Sequence, residues 1–220
     1  KKGLMQRLLT KGIGHIKFKK TEVGEIPVEW EVKKLEDITT VITKGTTPTT
    51  YGYDFVDKGI NFIKIENIND VNGTLKKDTF SKISEECNKK LSRSILQEGD
   101  ILFAIAGAIG KCAIVNKDCL PANTNQALAI IRVEDIADIK FVFHQLRGPI
   151  IQNKIESLKT NTAQANLNLQ QIGEFQILMP SLQEQQKIAD ILSIVDEQLE
   201  QYEFKKEKLR GLKKGLMQKL

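Results

Sequence analysis

The sequence predicts an α+β fold: a domain with a mixed or mostly antiparallel sheet and peripheral helices, followed by a long α-helix able to form a coiled coil. Three observations predict it. Short apolar runs rich in β-branched residues recur between about 60 and 133 without regular crossover helices between them, which argues against a doubly wound parallel sheet. From Ser181 onward, apolar residues recur at steps of four and three. The octapeptide Lys1-Lys2-Gly3-Leu4-Met5-Gln6-Arg7-Leu8 returns as Lys213-Lys214-Gly215-Leu216-Met217-Gln218-Lys219-Leu220, identical at seven of eight positions at an offset of 212. That makes the chain one period of a larger repeat whose unit is a whole domain plus a connector, unlike the short periods of solenoids.

Taken in order, residues 1–14 read as the end of a preceding helix, stopped at Gly12 and Gly14, with the basic stretch Lys17 to Lys20 leading out. Residues 15–180 form the domain. Within it, 60–65, 100–105 and 127–133 are the clearest strands, each bounded by turn residues. Residues 138–158 carry a helical pattern with Phe141, Leu146, Ile150, Ile151, Ile155 and Leu158 on one side and a break near Gly148-Pro149. Residues 181–220 form the long helix. Pro180 precedes Ser181, which can cap the helix, and Glu184 three residues later can complete a capping box. Ile188, Leu192, Val195, Leu199, Tyr202, Leu209, Leu216 and Leu220 then make a heptad seam, missing only at Lys206 and Lys213. Such a helix would be about 55 Å long at about 1.5 Å per residue, longer than a domain of this size needs, so it wants a partner helix.

Composition narrows the class. The 220 residues are 40% hydrophobic and 28% charged, enough to bury a sizeable core. No apolar run reaches about 18 residues and no apolar signal region is present, so a soluble, cytoplasmic protein with no membrane partner is expected. Cys87, Cys112 and Cys119 lack metal-ligand spacing and read as reduced, partly buried thiols. The net charge of +5 is unevenly spread: residues 1–20 hold seven Lys/Arg and no acid, whereas residues 21–200 hold 19 basic and 26 acidic residues. A central domain that binds nucleic acid must therefore do so through a local basic face.

Catalytic readings fail on their residues. Gly107-Ala108-Ile109-Gly110-Lys111-Cys112 resembles the end of a phosphate-binding loop, but Ile105 replaces its first glycine and Cys112 the hydroxyl that would hold Mg²⁺. A glycine-rich turn presenting Lys111 at its tip fits better. His15 and His144 have no nucleophile or carboxylate partner in sequence, and Glu85-Glu86 and Glu134-Asp135 lie in solvated stretches. No Asp/Asn-Pro-Pro-aromatic segment of the amino-methyltransferase kind is found, so no enzyme, no cofactor and no metal site is expected. What remains are polar loops: Thr39 to Tyr51, with seven threonines, Asn123 to Gln126, and Asn161 to Asn168. Hydroxyls, amides and cations of this kind bond phosphate oxygens and base edges. Each loop alone could equally be a turn.

The ordered motifs Pro27-Val28-Glu29-Trp30, Lys44-Gly45-Thr46-Thr47-Pro48, Ile60-Asn61-Phe62-Ile63-Lys64, Gly99-Asp100-Ile101-Leu102, Gly107-Ala108-Ile109-Gly110-Lys111, Thr124-Asn125-Gln126 and Pro180-Ser181-Leu182-Gln183-Glu184-Gln185, with Ile188-Ala189 and Asp196 after them, together resemble the specificity subunit of Type I restriction-modification systems. The resemblance spans essentially the whole chain. It implies a non-catalytic subunit with two target-recognition domains, each followed by a long helix. The two helices pair antiparallel as a spacer, and each domain reads half of a bipartite, gapped site in double-stranded DNA. It further implies modification subunits that methylate adenine and restriction subunits that translocate and cut as partners. This chain has one such domain, so it is a fragment or a half-subunit that pairs with itself as a homodimer.

On that footing Lys44, Lys64 and Lys111 are expected on phosphate, and Thr46, Thr47, Thr49, Tyr51, Asn125, Gln126, Asn161, Gln164 and Asn166 toward the bases. The alternative is a coiled-coil scaffolding protein whose α+β domain binds protein, in which case the loops should tolerate change.

Overall fold

Residues 101–104 and 128–131 are apolar on both faces, as strands covered from both sides must be. They lie side by side at the centre of the domain in the computed structural model, which describes residues 2–160 and 166–217, without the side chains at 159, 160, 212 and 214–216. In chain order the elements are α1 (Lys2–Lys11), β1 (Phe18–Thr21), β2 (Gly24–Pro27), β3 (Glu31–Lys34), β4 (Thr39–Lys44), β5 (Ile60–Ile63), β6 (Ser81–Ile83), α2 (Glu85–Lys90), β7 (Ile101–Ala104), β8 (Cys112–Ile114), β9 (Ala122–Thr124), β10 (Leu128–Val133), α3 (Ile139–Leu146), α4 (Pro149–Thr160), α5 (Leu169–Gly173), β11 (Gln176–Met179) and α6 (Leu182–Met217).

The main sheet is antiparallel, in the order β4-β10-β7-β8. Its side chains alternate between two cores, as the period of two requires. Ile101, Phe103, Ala129 and Ile131 meet Val142, Leu146, Ile151, Ile155 and Ile172 from the helices, and Phe175 just after α5, on one face. Leu102, Ala104, Leu128 and Ile130 meet Ile63, Ile68, Leu96 and Ala122 on the other. That second layer is the sheet β6-β5-β9, in which β5 runs parallel to β9 and antiparallel to β6. The sheets are therefore mixed and mostly antiparallel. Two small pairs, β1-β2 and β3-β11, complete the domain.

The expected strands at 60–65, 100–105 and 127–133 form as β5, β7 and β10. The helical pattern over 138–158 is split at Arg147-Gly148 into α3 and α4, and the Asp138 carboxylate caps α3 by accepting from the Phe141 N–H at 2.8 Å. Two expectations are corrected. Thr39 to Lys44, read as loop, is an edge strand paired to β10: its threonines are β-branched and fit a half-buried pleat. The capping box at Ser181 forms only its forward half. The Glu184 N–H donates to Ser181 Oγ at 3.4 Å, while the Glu184 carboxylate accepts from the Ile13 N–H at 3.0 Å and from Trp30 Nε1 at 3.1 Å and contacts His15 Nε2 at 2.9 Å.

That carboxylate joins both ends of the domain. Helix α1 stops at Lys11, and Gly12 turns with φ of 67°. A Cβ on Gly12 would lie 2.5 Å from Glu184 Oε1 and 2.7 Å from the Trp30 ring, so only glycine fits there. Met5, Leu8 and Leu9 of α1 share a core with Ile26, Trp30, Phe141, Leu178, Ile188, Ala189 and Leu192.

Candidate functional site

Strand register gathers the polar loops at one end of the domain. In the main sheet Ala129 faces Lys44, Leu128 faces Ala104 and Phe103 faces Cys112. The end of β4, the start of β10, the end of β7 and the start of β8 therefore coincide. The loops 45–59, 105–111 and 125–127 all leave the sheet there. In the second sheet Ile63 pairs with Thr124, which delivers Lys64 to the same end. The Leu167 N–H donates to the Ile105 carbonyl at 2.9 Å and brings Asn166 alongside. Lys44, Thr46, Thr47, Thr49, Tyr51, Lys64, Lys111, Asn125, Gln126 and Asn166 are thus served by one end of two sheets. Asn161 and Gln164 lie outside the described residues.

Within the cluster the first loop is pressed onto the third. A Cβ on Gly45 would stand 1.9 Å from the Thr124 carbonyl oxygen, so the backbones touch as only glycine allows. Thr47 Oγ1 then donates to Gln126 Oε1 at 2.5 Å, leaving the Gln126 NH₂ and one oxygen lone pair for an outside partner. Asn125 Oδ1 accepts from the Ala127 N–H at 3.1 Å, and its amide is half-buried. Tyr51 is half-exposed, with Lys90 Nζ 5.4 Å from its ring centroid.

The expected cations differ in state. Lys44 is exposed at the end of β4. Lys64 Nζ lies 4.4 Å from the Phe55 ring centroid and 3.9 Å from Glu66. Lys111 sits in the glycine-rich turn as expected but reaches Asp70 at 2.6 Å. An acid thus already faces the lysine expected to neutralise phosphate. Asn123 and Thr124, read as loop amide and hydroxyl, are fully buried and serve the fold: Thr124 Oγ1 donates to the Ile63 carbonyl at 2.8 Å.

Asn123 also builds a corner that sequence reasoning missed. Its Nδ2 donates to Asn88 Oδ1 at 2.9 Å and to the Leu91 carbonyl at 3.1 Å, and its Oδ1 accepts from Ser94 Oγ at 2.7 Å. This pins α2 and the 3-10 turn Ser92–Ser94 beside β4 and carries Lys90 and Arg93 to the threonine loop. Arg93 Nη2 donates to Thr46 Oγ1 at 3.4 Å. Tyr53 donates to Glu86 Oε1 at 3.1 Å, which holds its phenol above the usual range. The sequence signal for this corner was slight: Ser84 before Glu85-Glu86 is a cap, and its Oγ accepts from the Cys87 N–H at 3.1 Å. Burial pushes the Cys87 and Cys119 thiols up, away from nucleophilic thiolate chemistry.

Along α6 the expected seam divides in two. Ile188 and Leu192 are buried in their own domain, beside Trp30 and Phe141, because the first turns of the helix double as a wall of the core. Val195 and Leu199 are half-buried, and Tyr202 and Leu209 are exposed. The Leu216 side chain and Leu220 fall outside the described residues. Among the described residues no three His, Cys, Asp or Glu side chains gather as for a metal ion, and no helix is long and apolar enough to cross a membrane.

Residues 27–210 match the family model described as the type I restriction modification DNA specificity domain. The chain is similar to the type I restriction enzyme MjaVIII specificity subunit of Methanocaldococcus jannaschii, at 31% identity over 99% of this chain and 51% of that protein. It is also 31% identical to the EcoBI specificity subunit of Escherichia coli, over 74% of this chain and 34% of the relative. Among solved structures, a chain from the type I R-M system superposes with a TM-score of 0.65 at 18% identity, over 87% of this chain and 44% of that one. The HsdS subunit from Thermoanaerobacter tengcongensis superposes with a TM-score of 0.61 at 16% identity, over 90% and 42%. The chain spans about half the length, or less, of the relatives it matches.

Proposed function

Since the chain belongs to the family of type I restriction-modification DNA specificity domains, we propose that residues 15–180 recognise one half of a bipartite, gapped site in double-stranded DNA. In this reading residues 1–14 end one spacer helix and residues 181–220 form the next. The helices dock the modification and restriction subunits, and a second recognition domain supplies the other half-site. The role is recognition without catalysis, in keeping with relatives named as specificity subunits.

One observation carries the proposal: the register of two sheets delivers the polar loops 45–59 and 125–127, the glycine-rich turn 105–111 and the cations Lys44 and Lys64 to a single end of the domain. Gln126 illustrates the chemistry. With Thr47 fixing its oxygen, its NH₂ and remaining lone pair can pair with the N7 acceptor and N6 donor of adenine. Lys44 and Lys64 position the backbone, and the loop amides and hydroxyls specify. Selecting duplexes with a randomised core on the chain, and sequencing the bound pool, tests this. A defined sequence preference that Gln126→Ala relaxes at one position, by about 1–3 kcal/mol, is the expected outcome. A pool with no preference would refute the reading and favour a protein-binding scaffold.

A further inference from the structure

We infer that Arg93 is a base-reading residue of this domain, specific for guanine. The inference rests on the DNA-recognition reading above and adds a residue from a segment that neither the loop composition nor the motif order pointed to. Three observations support it. Arg93 lies on the turn Ser92–Ser94, which buried Asn123 fastens at 2.7 Å through Ser94 and at 3.1 Å through the Leu91 carbonyl. The Arg93 side chain therefore projects from a backbone corner that is fastened to the core, so no backbone ordering is left to be done on binding. Second, Nη2 donates to Thr46 Oγ1 at 3.4 Å, on the same loop whose Thr47 holds Gln126. The hydroxyl orients the planar group and leaves the rest of its five donors for a second partner. Third, Arg93 is exposed, whereas Lys111, one of the three cations expected at this end from sequence, is paired to Asp70 at 2.6 Å.

The planar fork of guanidinium donors matches two acceptors held at a set separation on a rigid edge, and guanine O6 and N7 present that pair in the major groove. A lysine at the same place keeps the charge but loses the fork. The two roles open to a surface arginine, base reading and phosphate contact, are thus separable by substitution.

The test is duplex selection at two salt concentrations with the wild-type chain, Arg93→Lys and Arg93→Gln. Expected for Arg93→Lys is loss of about tenfold or more in preference for guanine at one position, with the slope of binding against salt unchanged. Arg93→Gln is expected to move that position toward adenine, a gain that misfolding cannot mimic. A uniform loss of affinity in Arg93→Gln, with every base preference kept and a salt slope shallower by about one contact, would make Arg93 a phosphate contact and overturn the inference. Unchanged preferences and affinities in both variants would overturn it too, while leaving DNA recognition standing. A wild-type chain without sequence preference would remove the recognition reading and this inference with it.

Discussion

Gly45 shows how much of the candidate site hangs on one atom. Any side chain there drives a methyl group into the Thr124 carbonyl, at a nominal 1.9 Å, and neither backbone can retreat, because Lys44 and Thr124 both end paired strands. Gly45→Ala should lower stability by about 1–3 kcal/mol, the usual range for overpacking, and separate Thr47 from Gln126. Thermal unfolding reads the first effect, and loss of the preference read by Gln126 the second. From sequence, Gly45 is one glycine in a threonine-rich stretch. The need for it arises across 79 positions of chain, between a loop and a strand end that no local pattern connects. Lys111 was legible as a basic tip, yet its partner Asp70 comes from a distant turn and changes what the charge can do.

At the scale of elements, strong periodicity was legible and mixed patterns were not. The apolar runs of β7 and β10 and the break between α3 and α4 stand in the sequence because burial on a face of known period writes them there. Strand β4 was hidden because an edge strand, exposed on one side, is built from threonine and lysine as readily as a loop is. In α6 one heptad pattern serves two purposes, first packing on the domain and then projecting from it, and spacing alone cannot mark where one gives way to the other. Stability measurements separate them. Leu192→Ala should destabilise the domain by about 2–4 kcal/mol, as truncation of a fully buried leucine does. Leu209→Ser, on the exposed stretch, should change the unfolding free energy of the domain by no more than about 0.5 kcal/mol.

For the whole molecule the exposed half of α6 sets the question of partners. Described residues from Glu200 to Met217 are exposed along the helix, and an isolated helix of that length is marginal in water. We expect two copies of this chain to pair through Tyr202 and Leu209, giving a twofold assembly whose DNA site is an inverted repeat with a gap set by helix length. Sedimentation at micromolar concentration should show a dimer that Leu209→Asp converts to monomers. A wild-type monomer would count against self-pairing and favour the chain being one half of a longer subunit. The charge distribution fits either arrangement: the acidic excess lies in residues 21–200 and the basic excess at the ends. In the proposed reading, attraction to DNA would come from the small cluster of cations at the loop end and from the helices, not from the bulk of the domain.

The carboxylate of Glu184 has one more consequence. By accepting from the Ile13 N–H at 3.0 Å it ties together two points of the chain 171 positions apart, just where the polypeptide comes off one helix and starts the next. Everything between them is a detour that returns to its starting place. The domain therefore leaves and rejoins the helical ends of the chain at a single joint, built from Gly12, Ile13, Trp30 and Glu184.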